Sequence, residues 1–169
     1  MSQELMFSVG NTVVYPTRGV GSIQAVETQE ISGHTIQVYV INFDHDQLTI
    51  RLPVMKAQSS GLRKLSTPDV FDKTIEVLKA RPKIRKLMWS KRAQEFEAKI
   101  NSGNPLFIAE VLRDLYKVAP NQEQSYSERQ IFQSALLRLA REKALVENIT
   151  LSQATESIES SLSSKILSA

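Results

Sequence analysis

The chain has 169 residues, 41% hydrophobic and 23% charged, with a formal net charge of +3, which suffices for one medium domain or two small ones, each with its own core. The absence of cysteine excludes disulfides, thiol nucleophiles and cysteine-based metal sites, and suits a reducing compartment. The opening MSQELMFSVG has no basic start leading into an apolar run, and no window approaches the ~18 apolar residues of a membrane span, so a cytoplasmic protein without membrane association is expected.

Taken in order, residues 12 to 15 (TVVY), 20 to 28 (VGSIQAVET), 35 to 43 (TIQVYVINF) and 47 to 53 (QLTIRLP) are rich in β-branched and aromatic residues, and each is predicted to be a strand. Pro16, Gly19, Ser32-Gly33 and Asp44-His45-Asp46 punctuate them, and a short fifth strand is predicted near Gly61 to Leu65. In the fourth, Leu48, Ile50 and Leu52 alternate with Thr49 and Arg51, so Arg51 should face away from the apolar side. Small, sequential antiparallel strands of this kind suggest a curled sheet of SH3 or Tudor type.

Past Ser66 the period becomes helical. Thr67-Pro68-Asp69 and Asn104-Pro105 each place a capping residue before a first-turn proline. Ser127 to Gln130 and Thr150 to Gln153 match the capping box. These signals predict helices over 68 to 80, 88 to 101, 105 to 118, 127 to 147 and 151 to 166. Ile108, Val111, Leu112 and Leu115 share one face, and Ile131, Ala135, Leu136 and Leu139 another, the pattern of a compact bundle. The serine-rich end has a weak apolar stripe and is expected to fray. The expected class is therefore α+β, with a small antiparallel Tudor/SH3-like β-barrel in residues 1–66 and an all-α bundle in residues 67–169.

Charge is concentrated between the first two helices. Lys79, Arg81, Lys83, Arg85, Lys86, Lys91 and Arg92 fall within fourteen residues around the only tryptophan, Trp89, with no acid between Glu76 and Glu95. Such clustering creates a local positive potential suited to a polyanion. Helical spacing puts Trp89, Ala93, Phe96 and Ile100 on one stripe, as in a core. The flanking Lys86 and Arg92, and a Ser90 able to cap a helix starting after the tryptophan, argue instead for an exposed aromatic wedge. Apolar side chains inserted from the minor groove unstack bases, offset by contacts between cations and phosphates.

Catalytic chemistry is nearly absent from the sequence. His34 and His45, the only histidines, fall in predicted hairpin turns and are expected to be solvated turn residues. Asp44 and Asp46 flank His45, but the remaining ligands of a calcium loop are missing. Gly19-Val-Gly21 lacks the spacing and the following lysine of a nucleotide loop. The chain is read as a non-enzyme with no cofactor, no metal and no small-molecule substrate.

Several stretches together resemble the CarD/CdnL family of bacterial RNA polymerase-binding transcription regulators, along nearly the whole chain. Phe7 to Pro16 followed by Gly19-Val-Gly21 is similar to the family's opening motif, with Asn11 where an aspartate is usual. Leu48 to Pro53 and Gly61-Leu-Arg63 resemble later motifs of the sheet. Trp89 to Arg92, Ser102-Gly103 and Ala109 to Leu115 resemble those of the helical domain. The resemblance implies an N-terminal Tudor-like domain that docks on the β subunit of RNA polymerase, similar also to the docking module of transcription-repair coupling factor, though no helicase motif is present. It implies a helical domain that meets promoter DNA. Docking would use an exposed sheet edge, with Arg51 matching one family arginine and Gln29 standing where some relatives carry another. Trp89 corresponds to the family's minor-groove wedge at the upstream edge of the transcription bubble. Lys91 and Arg92 match adjacent phosphate-contacting positions, and charge clustering extends that role to Lys86 and Arg85. The implied function is stabilisation of open promoter complexes formed with the housekeeping σ factor, in the nucleoid through RNA polymerase. A monomer is expected, with strand exchange into a swapped dimer as the alternative. Two other functions compete: a general nucleic-acid-binding protein acting without polymerase, and a peptide-binding adaptor with an aromatic cage of Tyr15, Tyr39 and Phe43.

Overall fold

In a computed structural model, which describes residues 5–116 and 124–164, the chain divides into two compact units, Met1–Leu65 and Ser66–Ala169. The first carries strands β1 (Thr12–Tyr15), β2 (Gly19–Ile31), β3 (His34–Phe43), β4 (Leu48–Pro53) and β5 (Arg63–Lys64). They form one antiparallel sheet in the order β4-β3-β2-β1-β5. The expected barrel is not closed. β4 and β5 lie at opposite edges without pairing, and β5, with two residues, is too short to bridge the gap. The α+β class holds.

Turn chemistry sets the register. Pro16 follows Tyr15 in a turn closed by the Arg18 N–H donating to the Tyr15 carbonyl at 2.9 Å, and Gly19, at φ +85°, restarts the chain as β2. Ser32 and Gly33, at φ +52° and +79°, form the two-residue turn whose twist suits a hairpin. β3 then alternates. Tyr39, Ile41 and Phe43 are fully buried and pack with Phe7, Val13 and Ile23. Gly21 has a packing role: a Cβ there would come within 2.7 Å of the Phe43 ring, so the strand gives up a side chain to let the aromatic in. Tyr39 is in this core at 0% exposure, its Oη accepting the N–H groups of Met6 and Phe7 at 3.1 and 3.3 Å. With Phe43 equally buried, Tyr15, Tyr39 and Phe43 form no open cage. The adaptor reading loses its site.

His34 is exposed, as expected of a turn-proximal residue, whereas His45 is not simply solvated. Its ring meets the Phe43 edge at 6.3 Å, and Nε2 lies 3.3 Å from both the Arg18 carbonyl and the Asp46 carboxylate. Among the described residues no cluster of three or more acids and histidines is placed to hold a metal.

The second unit contains α1 (Pro68–Lys79), α2 (Trp89–Asn101), α3 (Pro105–Leu115), α4 (Tyr126–Glu147) and α5 (Leu151–Ser163). The predicted helix ends at 118 and 166 lie outside the described residues. α3 lies against α1, α2 and α4, while α5 covers α1 and α4. The two predicted faces, from Ile108 to Leu115 and from Ile131 to Leu139, are buried together in the core. Asn104 caps α3, its side chain accepting the Leu106 N–H at 2.9 Å ahead of Pro105. Thr150 and Gln153 form the complete capping box of α5, both bonds at 3.0 Å.

Two predicted caps differ. α4 starts one residue earlier than expected, with Ser125, not Ser127, accepting from the Glu128 N–H at 3.1 Å. The segment Ser125 to Glu128 has the same S-x-x-E pattern, and the earlier serine takes the role because Tyr126 is already helical. Thr67 stands at the start of α1 but makes no cap bond. A hydrogen bond with the Thr67 side chain instead holds the Asp69 carboxyl below its ordinary pKa of 3.8, helped by the Asp69 backbone and Lys73. Among the described residues no helix is long and apolar enough to cross a membrane.

Candidate nucleic-acid interface

The link between α1 and α2 is extended because its sequence forbids helix. Pro82 cannot join the α1 hydrogen-bond ladder and disfavours helical backbone at Arg81; α1 ends at Lys79, and Ala80 is extended at φ −73°, ψ 162°. Every residue from Arg81 to Met88 is exposed. The link is nonetheless tied down. The Lys83 N–H donates to Asp114 Oδ1 at 2.9 Å, and Asp114 is gripped by its neighbour Arg113, whose Nε and Nη2 donate to the two carboxylate oxygens at 2.8 and 3.3 Å. Both side chains are only 7% exposed, so the basic stretch hangs from a largely buried charge-assisted pair on α3.

Trp89 is the first residue of α2, behind a Met88 cap position that makes no side-chain bond. Ser90 therefore lies inside the helix and caps nothing, contrary to expectation. The indole settles the tension between stripe and wedge by taking part in both. It is half-buried, packed at the rim of the helical core against Phe96 at 6.3 Å, with its Nε1–H donating to Ser127 Oγ at 3.3 Å. Arg92 lies over the Trp89 and Phe96 rings, 5.5 and 5.7 Å from their centroids, a cation–π arrangement that fixes its charge beside the indole.

The other predicted phosphate contacts surround this point unequally. Arg85 donates to Glu95 at 2.7 Å, which offsets its charge, but the pair is exposed (65% and 41% for the two side chains) and readily exchanged for phosphate. Lys86 and Lys91 are exposed. Acids return at Glu95 and Glu97, so the positive potential is confined to the link and the first turn of α2.

In the sheet unit, Arg51 is exposed on the edge strand β4, as the alternation predicts. Its Nε lies 3.6 Å from Glu27, across β3 at the level of Val38 and Val40. Gln29 is on the same face of β2, four residues from Ala25, which shares Arg51's cross-strand row. That places it about 13 Å further along the strand. Arg51 and Gln29 thus share a face without meeting. Sequence reasoning missed Glu27 and the Asp114 anchor, both of which pair across distance; Asp114 could be noticed only as part of the quoted Ala109 to Leu115 motif.

Comparison with known proteins converges on one family. Residues 7–66 match the model of the CarD-like/TRCF RID domain and residues 73–159 that of the CarD C-terminal domain. A Bacillus subtilis (strain 168) protein named "Putative transcription factor YdeB" is 29% identical over 145 residues, covering 86% of this chain and 95% of the relative. The solution NMR structure of the 72-residue N-terminal domain of Myxococcus xanthus CarD is 30% identical, covering 37% of this chain and 84% of that one, with a TM-score of 0.31. Two family models account for consecutive parts of the sequence, one of them spanning half of it: the chain belongs to the CarD family and is a transcription regulator.

Proposed function

We propose that the chain docks on the β subunit of RNA polymerase through residues 1–66 and stabilises the open promoter complex through residues 67–169. The observation that carries this reading is the placement of Trp89 at the start of α2, half-buried, with Arg92 over its ring and the exposed cations of the link and first turn around it. An anchored apolar group ringed by positive charge suits the upstream edge of a bubble, where the minor groove is distorted and a wedge meets partly unstacked bases. Lys91 and Arg92 would contact backbone phosphate, with Lys86 and, after release from Glu95, Arg85 extending the contact.

The mechanism is differential binding. A wedge that fits the melted edge better than closed duplex shifts the equilibrium toward melting by the difference in the two affinities. Non-specific phosphate binding is weak, with Kd of about 10⁻⁴ to 10⁻⁶ M, so the sheet unit supplies the targeting by raising the local concentration of the helical unit. In docking, β4 offers an edge for main-chain pairing, Arg51 a charge beside it, and Gln29 a polar contact on the same face.

The test is the lifetime of heparin-challenged open complexes on a housekeeping promoter, with and without the protein. A longer lifetime that depends on Trp89 and on polymerase docking supports the reading. An unchanged lifetime despite polymerase binding refutes it, and a DNA gel shift of equal strength without polymerase would favour a general nucleic-acid binder instead.

A further inference from the structure

Arg85 comes to DNA already paired. Its Nη1 donates to Glu95 Oε1 at 2.7 Å, from the link to the second turn of α2. Four cations, Lys83, Arg85, Arg92 and Lys99, and two acids, Glu95 and Asp114, line a cleft of about 30 Å³ between the link and α2. Arg92 is also the cation that lies over the Trp89 ring, so the cleft borders the wedge. Two of the other charges are answered from α3: Asp114 by Arg113 at 2.8 Å and Lys99 by Glu110 at 2.9 Å. Glu95 is thus the carboxylate set against Arg85. While it is there, the cleft has room for about two waters and not for a phosphate.

We propose that this cleft is a backbone-phosphate site and that Glu95 occupies it in the free protein as a built-in anion that DNA displaces. The inference rests on the reading of the basic segment as the DNA contact, and it adds to the Trp89 wedge a residue that determines where the wedge is used. The Arg85–Glu95 pair is exposed, 65% and 41% for the two side chains, and such pairs are weakly held. A phosphate oxygen makes the same charge-assisted contact to the guanidinium, so the exchange is feasible. It still weakens binding to every duplex alike, since Arg85 gives up one anion to gain another and the displaced carboxylate stays close enough to repel the backbone. Protein tethered on polymerase meets DNA at a high local concentration and is saturated despite this penalty; untethered protein among bulk duplex is not. Glu95 therefore suppresses binding away from polymerase and leaves the tethered action intact.

The test measures binding of full-length protein to a labelled duplex, without polymerase, at 50 and 200 mM salt. The proteins compared are wild type, Glu95→Gln, Arg85→Ala, the double variant and Glu97→Gln. One further phosphate contact, at a slope of about 0.9, amounts to about 3.5-fold in affinity between these salts. Glu95→Gln is expected to bind several-fold more tightly than wild type at 50 mM, with that gain smaller by about 3.5-fold at 200 mM. The double variant should bind like Arg85→Ala, because the gain passes through Arg85. Glu97→Gln removes the same charge at an exposed position that lines a different groove, with Gln130 and Arg138, and should bind like wild type. Thermal stability should be unchanged in Glu95→Gln. With polymerase holoenzyme, Glu95→Gln should lengthen the heparin-challenged lifetime as wild type does, but lose more of that effect to excess duplex competitor. No gain for Glu95→Gln, an equal gain for Glu97→Gln, or a gain that persists in the Arg85→Ala background would each overturn the proposal. If wild type meanwhile lengthens the lifetime, only this inference falls. A wild type that neither binds duplex at 50 mM salt nor lengthens the lifetime takes the open-complex reading down with it.

Discussion

Replacing Asp114 by asparagine removes the negative charge on which three donors converge: the Lys83 N–H at 2.9 Å, Arg113 Nε at 2.8 Å and Arg113 Nη2 at 3.3 Å. The shape is kept, but one oxygen becomes an NH₂ group that faces a donor. Hydrogen bonds to a charged group contribute about 1.5–3 kcal/mol each, and the amide retains the better-placed ones in weakened, neutral form, so a net loss of about 2 kcal/mol is expected. For a unit the size of Ser66–Ala169, that corresponds to a fall in Tm of roughly 10 °C. The more telling measurement is amide hydrogen exchange at Lys83. In an otherwise exposed link its protection comes from the bond to Asp114, and exchange should accelerate in the variant while the amides of Leu112 and Leu139 lose only what global stability loses. Lys83 exchange as slow as in wild type would show that Asp114 does not hold the link.

Further outcomes can be read from other sites. Gly21→Ala should destabilise the sheet unit by about 1–3 kcal/mol through overpacking against Phe43, seen as a lower urea midpoint; an unchanged midpoint would mean the ring moves aside freely. Replacing both Lys86 and Lys91 by alanine should flatten the slope of log K against log salt for polymerase-free DNA binding by about 1.8, at about 0.9 per lost phosphate contact, and an unaltered slope would place both lysines off the backbone. Thr67→Val should bring the Asp69 pKa back toward 3.8 in an NMR titration. The folded pKa is depressed, so the stability linked to Asp69 is present above the ordinary value and is lost as pH falls through the folded one; no movement in the variant would assign the depression to the backbone and Lys73 instead.

Local chemistry made most of the elements legible. Ser32-Gly33 announced the hairpin because both residues accept positive φ, and Asn104-Pro105 and Thr150 to Gln153 announced helix starts because their side chains reach only adjacent backbone donors. Barrel closure was not legible, since it depends on the length of a final strand that reduces to Arg63 and Lys64. The start of α4 was ambiguous for a definite reason: Ser125 and Ser127 head overlapping capping patterns. At the candidate site, period and charge gave opposing expectations for Trp89, and each described one side of a ring at the core rim. The contacts that organise the site, Lys83 with Asp114 and Trp89 with Ser127, join residues 31 and 38 positions apart, beyond any local pattern.

The β2–β3 ribbon has a mechanical consequence. Its register shifts once, between Ile23 and Ala25, and beyond that irregularity it runs to an exposed tip at Ile31 to His34, a reach of about 20 Å at 3.3 Å per residue. β4 accompanies β3 only as far as Val38, which pairs with Glu27, so the ribbon becomes two-stranded beyond that level, with Gln29 on the two-stranded arm and Arg51 on the three-stranded part of the sheet. A bend of about 10° there would move Gln29, about 7 Å further out, by roughly 1 Å and leave Arg51 in place. The spacing between these two side chains is thus set by how far β4 runs along its neighbour rather than by either residue.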